Sequence, residues 1–214
     1  MQEKKDYKYL ATRHPELFHT WFDKKDFPSN DYLYLIKNCS ENIDVWFDKE
    51  TFPKKYYKYL AEFCSEYFPI WFNKDVHFLD KWWYLSKFCS EYFTKWFDVD
   101  TFPEDNYLYL DTYCSEYFDI WFDKKTFPVK HYWFLTRNYS KYFDVWFDSD
   151  LFPVEDYNYL AEYCTDKFLD WYNEKIFPKK YYRYLSEYCT EYFDIWYGKD
   201  IYAGIDDSLT LVIK

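Results

Sequence analysis

Glycine is almost missing from this chain: of 214 residues only Gly198 and Gly204 lack a side chain. That scarcity excludes a Gly-rich phosphate loop or dinucleotide fingerprint from the body of the sequence. Long apolar runs are missing too, and no stretch approaches the roughly 18 uncharged residues that a membrane span requires. The opening Met1-Gln2-Glu3-Lys4-Lys5-Asp6 has no apolar signal core, so the expectation is a soluble, intracellular protein with no membrane association. A basic stripe is absent as well. Lysines alternate with Asp and Glu, and the formal net charge of −11 repels a phosphate backbone, which argues against a nucleic-acid partner.

Aromatic residues, in contrast, make up 29% of the chain, and their spacing organises it. Trp21, Trp46, Trp71, Trp96, Trp121, Trp146, Trp171 and Trp196 recur every 25 residues without an insertion. Eight copies of one structural unit follow, in a body whose units touch mainly their neighbours. A single array over residues 1–198 is expected, with 199–214 as a C-terminal tail or cap.

The period inside each unit is helical. Tyr57, Leu60 and Cys64 are spaced i, i+3, i+7, and Tyr107, Leu110 and Cys114 repeat the pattern, so each trio shares one helix face. Phe118, Trp121 and Phe122 define a second face at i, i+3, i+4. Pro15 and Pro69 fall inside what would otherwise be one continuous helix, at a cost of about 3 kcal/mol each. A break between two helices avoids that cost, with Ser65, Ser90 and Ser115 expected as N-caps of the second. Asp48, Asp98 and Asp123 mark the helix stop, as residues that accept a left-handed or turn conformation. Phe52-Pro53 and Phe102-Pro103 then read as the approach to the next helix, with proline at its first position. The predicted fold is therefore all-α, an α-solenoid of eight 25-residue helix, break, short helix, turn repeats. Its expected core includes Leu60, Cys64, Phe68, Trp71, Leu110, Cys114, Phe118 and Trp121.

One unit departs from the pattern, with Val76-His77-Phe78-Leu79 where Thr-Phe-Pro is expected. Past Trp196 the pattern stops, and residues 208–214 alternate weakly, as a strand or extended tail does. That tail either caps the last repeat or mediates self-association.

The six cysteines occupy one repeat position, at Cys39, Cys64, Cys89, Cys114, Cys164 and Cys189. Equivalent atoms in stacked helices lie roughly 8–10 Å apart, beyond disulfide reach. His14 and Tyr139 take the same place in two units, a substitution that a ligand set would not tolerate, so buried structural thiols are expected and no metal. Catalysis needs one unique constellation of nucleophile, base or metal. His14, His19, His77 and His131 sit at different repeat positions, and the remaining recurrent residues are those a core needs. No catalytic residue and no cofactor is assigned, and a non-enzymatic protein is expected.

The residues the core does not absorb are a second set of aromatics. Tyr34, Tyr59, Tyr84, Tyr109, Phe134, Tyr159 and Tyr184 lie two positions after the core aromatic, about 200° round the helix from it. Either they pack between neighbouring repeats or they form a ladder of exposed rings that binds a partner; tyrosine suits the second role because it offers large contact area at low entropy cost.

The segment Tyr113-Cys114-Ser115-Glu116-Tyr117-Phe118-Asp119-Ile120-Trp121-Phe122-Asp123 resembles short helical repeats expanded in proteins of giant DNA viruses of protists. The resemblance spans residues 7–198 and implies no activity; it does imply a location in host cytoplasm or virion. In size the unit is also similar to the leucine-rich-variant repeat, although the Trp and Cys columns are not part of that pattern. The functional expectation is a repeat scaffold that binds a protein or peptide along an aromatic-rich face. The alternatives are a self-assembling structural protein of a virion or surface layer, and glycan binding through the tyrosine ladder.

Overall fold

A computed structural model of the chain describes residues 5–73 and 82–197. The variant turn at Val76–Leu79 and the tail from 199 onward lie outside the described residues. The chain divides into two compact units, Met1–Trp121 and Phe122–Lys214, and in each the described residues form an all-α solenoid of the same repeat. Each repeat contributes one seven-residue helix and one four-residue helix, exemplified by Tyr57–Phe63 and Phe68–Trp71. Helices this short are marginal on their own in water, so packing against neighbours must hold them. In the first unit Tyr7–Arg13, Tyr32–Asn38, Tyr57–Phe63, Trp82–Phe88 and Tyr107–Tyr113 pack side by side in sequence order. In the second unit Tyr132–Asn138, Tyr157–Tyr163 and Tyr182–Tyr188 do the same.

The buried stripe of each long helix follows the i, i+3, i+7 spacing. Leu60, Cys64, Phe68, Trp71, Leu110, Cys114, Phe118 and Trp121 are all 2% exposed or less. Each large apolar side chain buried this fully contributes about 2–3 kcal/mol relative to exposure. The rings also meet edge to face, as Phe68 and Trp71 do at 5.1 Å and 71°, the geometry that the aromatic quadrupole favours.

The break between the helices is built differently from the expected serine cap. Cys64 and Cys114 leave helical geometry at φ −133° and −132°, and Ser65 and Ser115 are the first residues of a 3-10 turn that leads into the short helix. No side-chain capping bond comes from this position. The tryptophan supplies the polar tie instead. In every repeat its indole Nε1–H donates to the carbonyl seven residues back, as Trp71 does to Cys64 at 2.8 Å and Trp146 to Tyr139 at 2.8 Å. The carbonyl of the residue that leaves the helix thus accepts twice, from the indole and from the backbone N–H three residues on, as Cys64 does from Tyr67 at 3.0 Å, so both of its lone pairs are used inside the core.

The helix stop also moves by one residue. Phe47, Phe97 and Phe147 close their short helices in extended geometry, at ψ 142°, 137° and 137°. Among the described residues no backbone is left-handed, so Asp48 is not a left-handed terminator. It acts through its side chain: Asp48 Oδ1 accepts from the Glu50 N–H at 3.0 Å, and Asn173 does the same for Lys175 at 3.0 Å. Asp and Asn recur in this column because a short carboxylate or amide can close such a turn on its own backbone. Proline likewise sits one position earlier than expected. Pro53, Pro103 and Pro178 precede a 3-10 turn in extended geometry, and the Pro53 carbonyl accepts from the Tyr56 N–H at 3.0 Å.

Neighbouring repeats are tied by three recurrent contacts. The Cys114 thiol lies 3.6 Å from the Ser86 carbonyl, and Cys164 3.6 Å from that of Thr136. These carbonyls belong to the last turn of the preceding long helix, where the intrahelical donor four residues on is missing. Tyr56 and Tyr181 donate their hydroxyls to the carbonyls of Asn30 and Glu155, at 2.8 and 2.6 Å. Phe68 is sandwiched between Phe72 at 4.3 Å and Tyr92 of the next repeat at 4.6 Å, the last pair only 8° from parallel.

Candidate functional site

The chemistry of the core is inert. All six cysteines are free and buried, and burial pushes the thiols of Cys64, Cys89, Cys114, Cys164 and Cys189 up to about 12, with the neighbouring acidic residue adding to the effect. A thiol held protonated in this way is neither a nucleophile nor a metal ligand at neutral pH. Among the described residues no group of three His, Cys, Asp or Glu side chains is gathered to hold a metal ion. No helix among them is long and apolar enough to cross a membrane.

The aromatic column lies on the outer side of the long helices. Tyr34, Tyr59, Tyr84, Tyr109, Tyr159 and Tyr184 are half-buried, and Tyr9 at the start of the row is 55% exposed. The rings therefore pack in part against their neighbours and keep the remainder open. Phe134 differs: it is 1% exposed, packed edge-on against Phe127 at 5.7 Å and beside His131 at 5.8 Å. Without a hydroxyl to hydrate, its ring turns fully inward, and it leaves the row.

Flanking columns widen the open surface. Phe63 and Tyr188, one turn further along the helix, are 38% and 39% exposed. Trp83 and Trp133, one residue before the ladder position, are half-buried. They were not picked out by the 25-residue register because Lys8, Leu33, Lys58, Leu108, Asn158 and Arg183 take the same place elsewhere. In the first unit Trp83, Tyr84 and Phe88 form a cluster, with Trp83 against Tyr84 at 4.7 Å and Phe88 stacked on Tyr84 at 6.2 Å. In the second unit Trp133 leans on Tyr159 at 6.1 Å, and Tyr184 stacks on Tyr188 at 6.4 Å.

Cations lie on several of these rings. Lys87 Nζ is 4.6 Å from the Trp83 ring and 4.9 Å from that of Phe88, and Lys37 Nζ is 4.9 Å from Phe63 of the next repeat. Such contacts contribute about 0.5–1 kcal/mol at exposed sites. They place lysine charge over part of the aromatic surface and leave the rest of the rings open.

Fold and surface together define a tandem-repeat α-solenoid with an aromatic outer face on its long helices. No family model matches the chain, and no curated protein or solved structure matches it.

Proposed function

We propose that this chain is a non-enzymatic interaction scaffold that binds a protein or peptide along the aromatic face of its long helices. The observation that carries the reading is the cluster Trp83, Tyr84 and Phe88 with Lys87 laid across it. Large aromatic rings, held on helices and partly open, are the side chains in which interface cores are enriched. They have already lost most of their freedom through packing on each other, so a partner that covers them orders little more. The inertness of the buried thiols supports a binding role over a catalytic one.

The test is selection from a random peptide library on the intact chain, followed by titration of the enriched peptides. A recurring motif that binds the native chain and loses about tenfold or more in affinity to Trp83→Ala supports the reading, since aromatic hot spots cost that much or more when truncated. No recurring motif, or equal binding by Trp83→Ala, contradicts it. Binding of defined glycans with loss in the same variant assigns the face to sugars instead.

A further inference from the structure

The short helices carry a second and different face. In the first unit the segments 15–20, 40–45, 65–70, 90–95 and 115–120 hold seven carboxylates and one lysine, Lys95. The surplus is ordered. Glu41, Glu66, Glu91 and Glu116 occupy one column, and all four are exposed. Beside them Tyr67, Tyr92 and Tyr117 form a half-buried row, in which two rings are stacked on the repeat before: Tyr92 on Phe68 at 4.6 Å and Tyr117 on Phe93 at 4.8 Å, both 8° from parallel. Burial raises these phenols above their ordinary value, and the adjacent glutamates raise them further, so they remain neutral hydrogen-bond donors. The same face exposes aliphatic side chains that the core does not use: Ile120 is 52% open and Ile70 38%. Among the described residues this helix face, apolar and threaded by a row of carboxylates, is left open.

Charge names the occupant. A second copy of the chain carries the same net −11 and is repelled at long range. A nucleic acid is repelled by the carboxylates themselves. A basic polypeptide is attracted, and the spacing narrows its form. Neighbouring long helices pack roughly 8–10 Å apart, so the glutamates recur at about that interval. A polyproline-type chain advances about 3.1 Å per residue with three residues per turn, which returns every third side chain to one side after roughly 9 Å. Aromatic-lined surfaces are the usual receptors for that conformation.

We propose that the short-helix face of the unit Met1–Trp121 docks a basic polypeptide segment in an extended, polyproline-type conformation, with Lys or Arg at every third position facing Glu41, Glu66, Glu91 and Glu116 in turn. The rings of Tyr67, Tyr92 and Tyr117 and the exposed Ile70 and Ile120 receive the apolar residues between the cations. This surface is separate from the long-helix face, and either can fail without the other.

The experiment uses the intact chain and two synthetic peptides of equal length and composition, one repeating Lys-Pro-Pro, the other with its lysines contiguous. Titration calorimetry at low and physiological salt reads the affinities. The spaced peptide should bind about tenfold more tightly, and the double variant Glu66→Gln, Glu91→Gln should lose about tenfold, the sum of two partly exposed ion pairs. The Trp83→Ala variant should bind it unchanged, which separates this surface from the aromatic one. Thermal unfolding monitors that the variants remain folded. Equal affinity for the two peptides, or unchanged binding by the double variant, overturns the proposal. So does a chain that ignores both peptides and gains mass with concentration, since a second copy then covers the face.

Discussion

The indole Nε1–H of Trp121 donates to the carbonyl of Cys114, seven residues earlier and 3.0 Å away. This bond joins the residue where the long helix ends to the residue that anchors the short one, so a single side chain both fills the core and fixes the angle of the break. It explains why tryptophan, and not another large aromatic, holds the register in all eight repeats. Replacing Trp121 by Phe keeps a ring but removes the donor, and should cost about 0.5–1.5 kcal/mol in urea denaturation, the worth of one lost hydrogen bond, since the Cys114 carbonyl still accepts from the Tyr117 N–H. Trp121→Ala adds a cavity and should cost about 3–5 kcal/mol. Equal stability of Trp121→Phe and the native chain would mean that the bond contributes nothing.

The thiol column gives a chemical prediction. Cys64 is buried and pushed up to about 12, and its five equivalents are likewise buried and raised by that burial. Iodoacetamide near neutral pH should leave all six cysteines unmodified in the folded chain and alkylate all six in denaturant, as read by mass spectrometry. Rapid modification of any one of them under native conditions would contradict the packing described.

The hydroxyls of Tyr132 and Tyr157, residues each 1% exposed, are buried without a hydrogen-bond partner. Removing such a hydroxyl relieves a desolvation penalty, so Tyr132→Phe and Tyr157→Phe should leave stability unchanged or raise it by up to about 1 kcal/mol. Tyr181→Phe is the contrast: it deletes the bond to the Glu155 carbonyl and should cost about 0.5–1.5 kcal/mol. The reverse order in thermal unfolding would count against these assignments.

Asp156 is pushed up to about 6, first by burial and then by the charge of Glu155. Its folded value thus lies above the ordinary 3.8. Between pH 4 and 6 the folded state binds more proton than the unfolded one, so this residue's relative stabilisation is complete below pH 4 and lost as pH rises through 6. Asp156→Asn should therefore stabilise the chain at pH 7 by about 1 kcal/mol, a figure reduced for partial solvent screening, and have no effect at pH 4. A stabilisation that is the same at both pH values would show that the charge is not responsible.

How far the sequence could be read depended on which interactions were local. The helical period of Tyr57, Leu60 and Cys64 and the interval of 25 between tryptophans define the repeat directly, because both arise from one helix face meeting its copies. The details of the break were not legible. Ser115 has the chemistry of an N-cap, but the donor from Trp121, seven residues away, ties the chain there and leaves the serine as the start of a 3-10 turn. Asp48 has the tolerance for a left-handed stop, yet it works by accepting from the Glu50 N–H. The tyrosine ladder posed a choice between packed and open, and the rings are in part both; Tyr84 and Tyr159 lean on Trp83 and Trp133, which stand outside the repeat register. Phe134 turned inward for a reason that lies in Phe127 and His131. The row from Glu41 to Glu116 was visible as a 25-residue column, but a single repeat gives it no meaning beyond a helix start; its significance appears when the Tyr67, Tyr92 and Tyr117 rings stand beside it.

The repeated motif is committed to packing neighbouring repeats against one another, and the surfaces between its columns are those proposed for partners. Indole nitrogen NMR of the eleven tryptophans tests it most directly. The account predicts that the eight register indoles, from Trp21 to Trp196, exchange slowly with solvent because each is bonded to a carbonyl in the core, while those of Trp83 and Trp133 on the outer face exchange fast. Register indoles that exchange as quickly as Trp83 would contradict it.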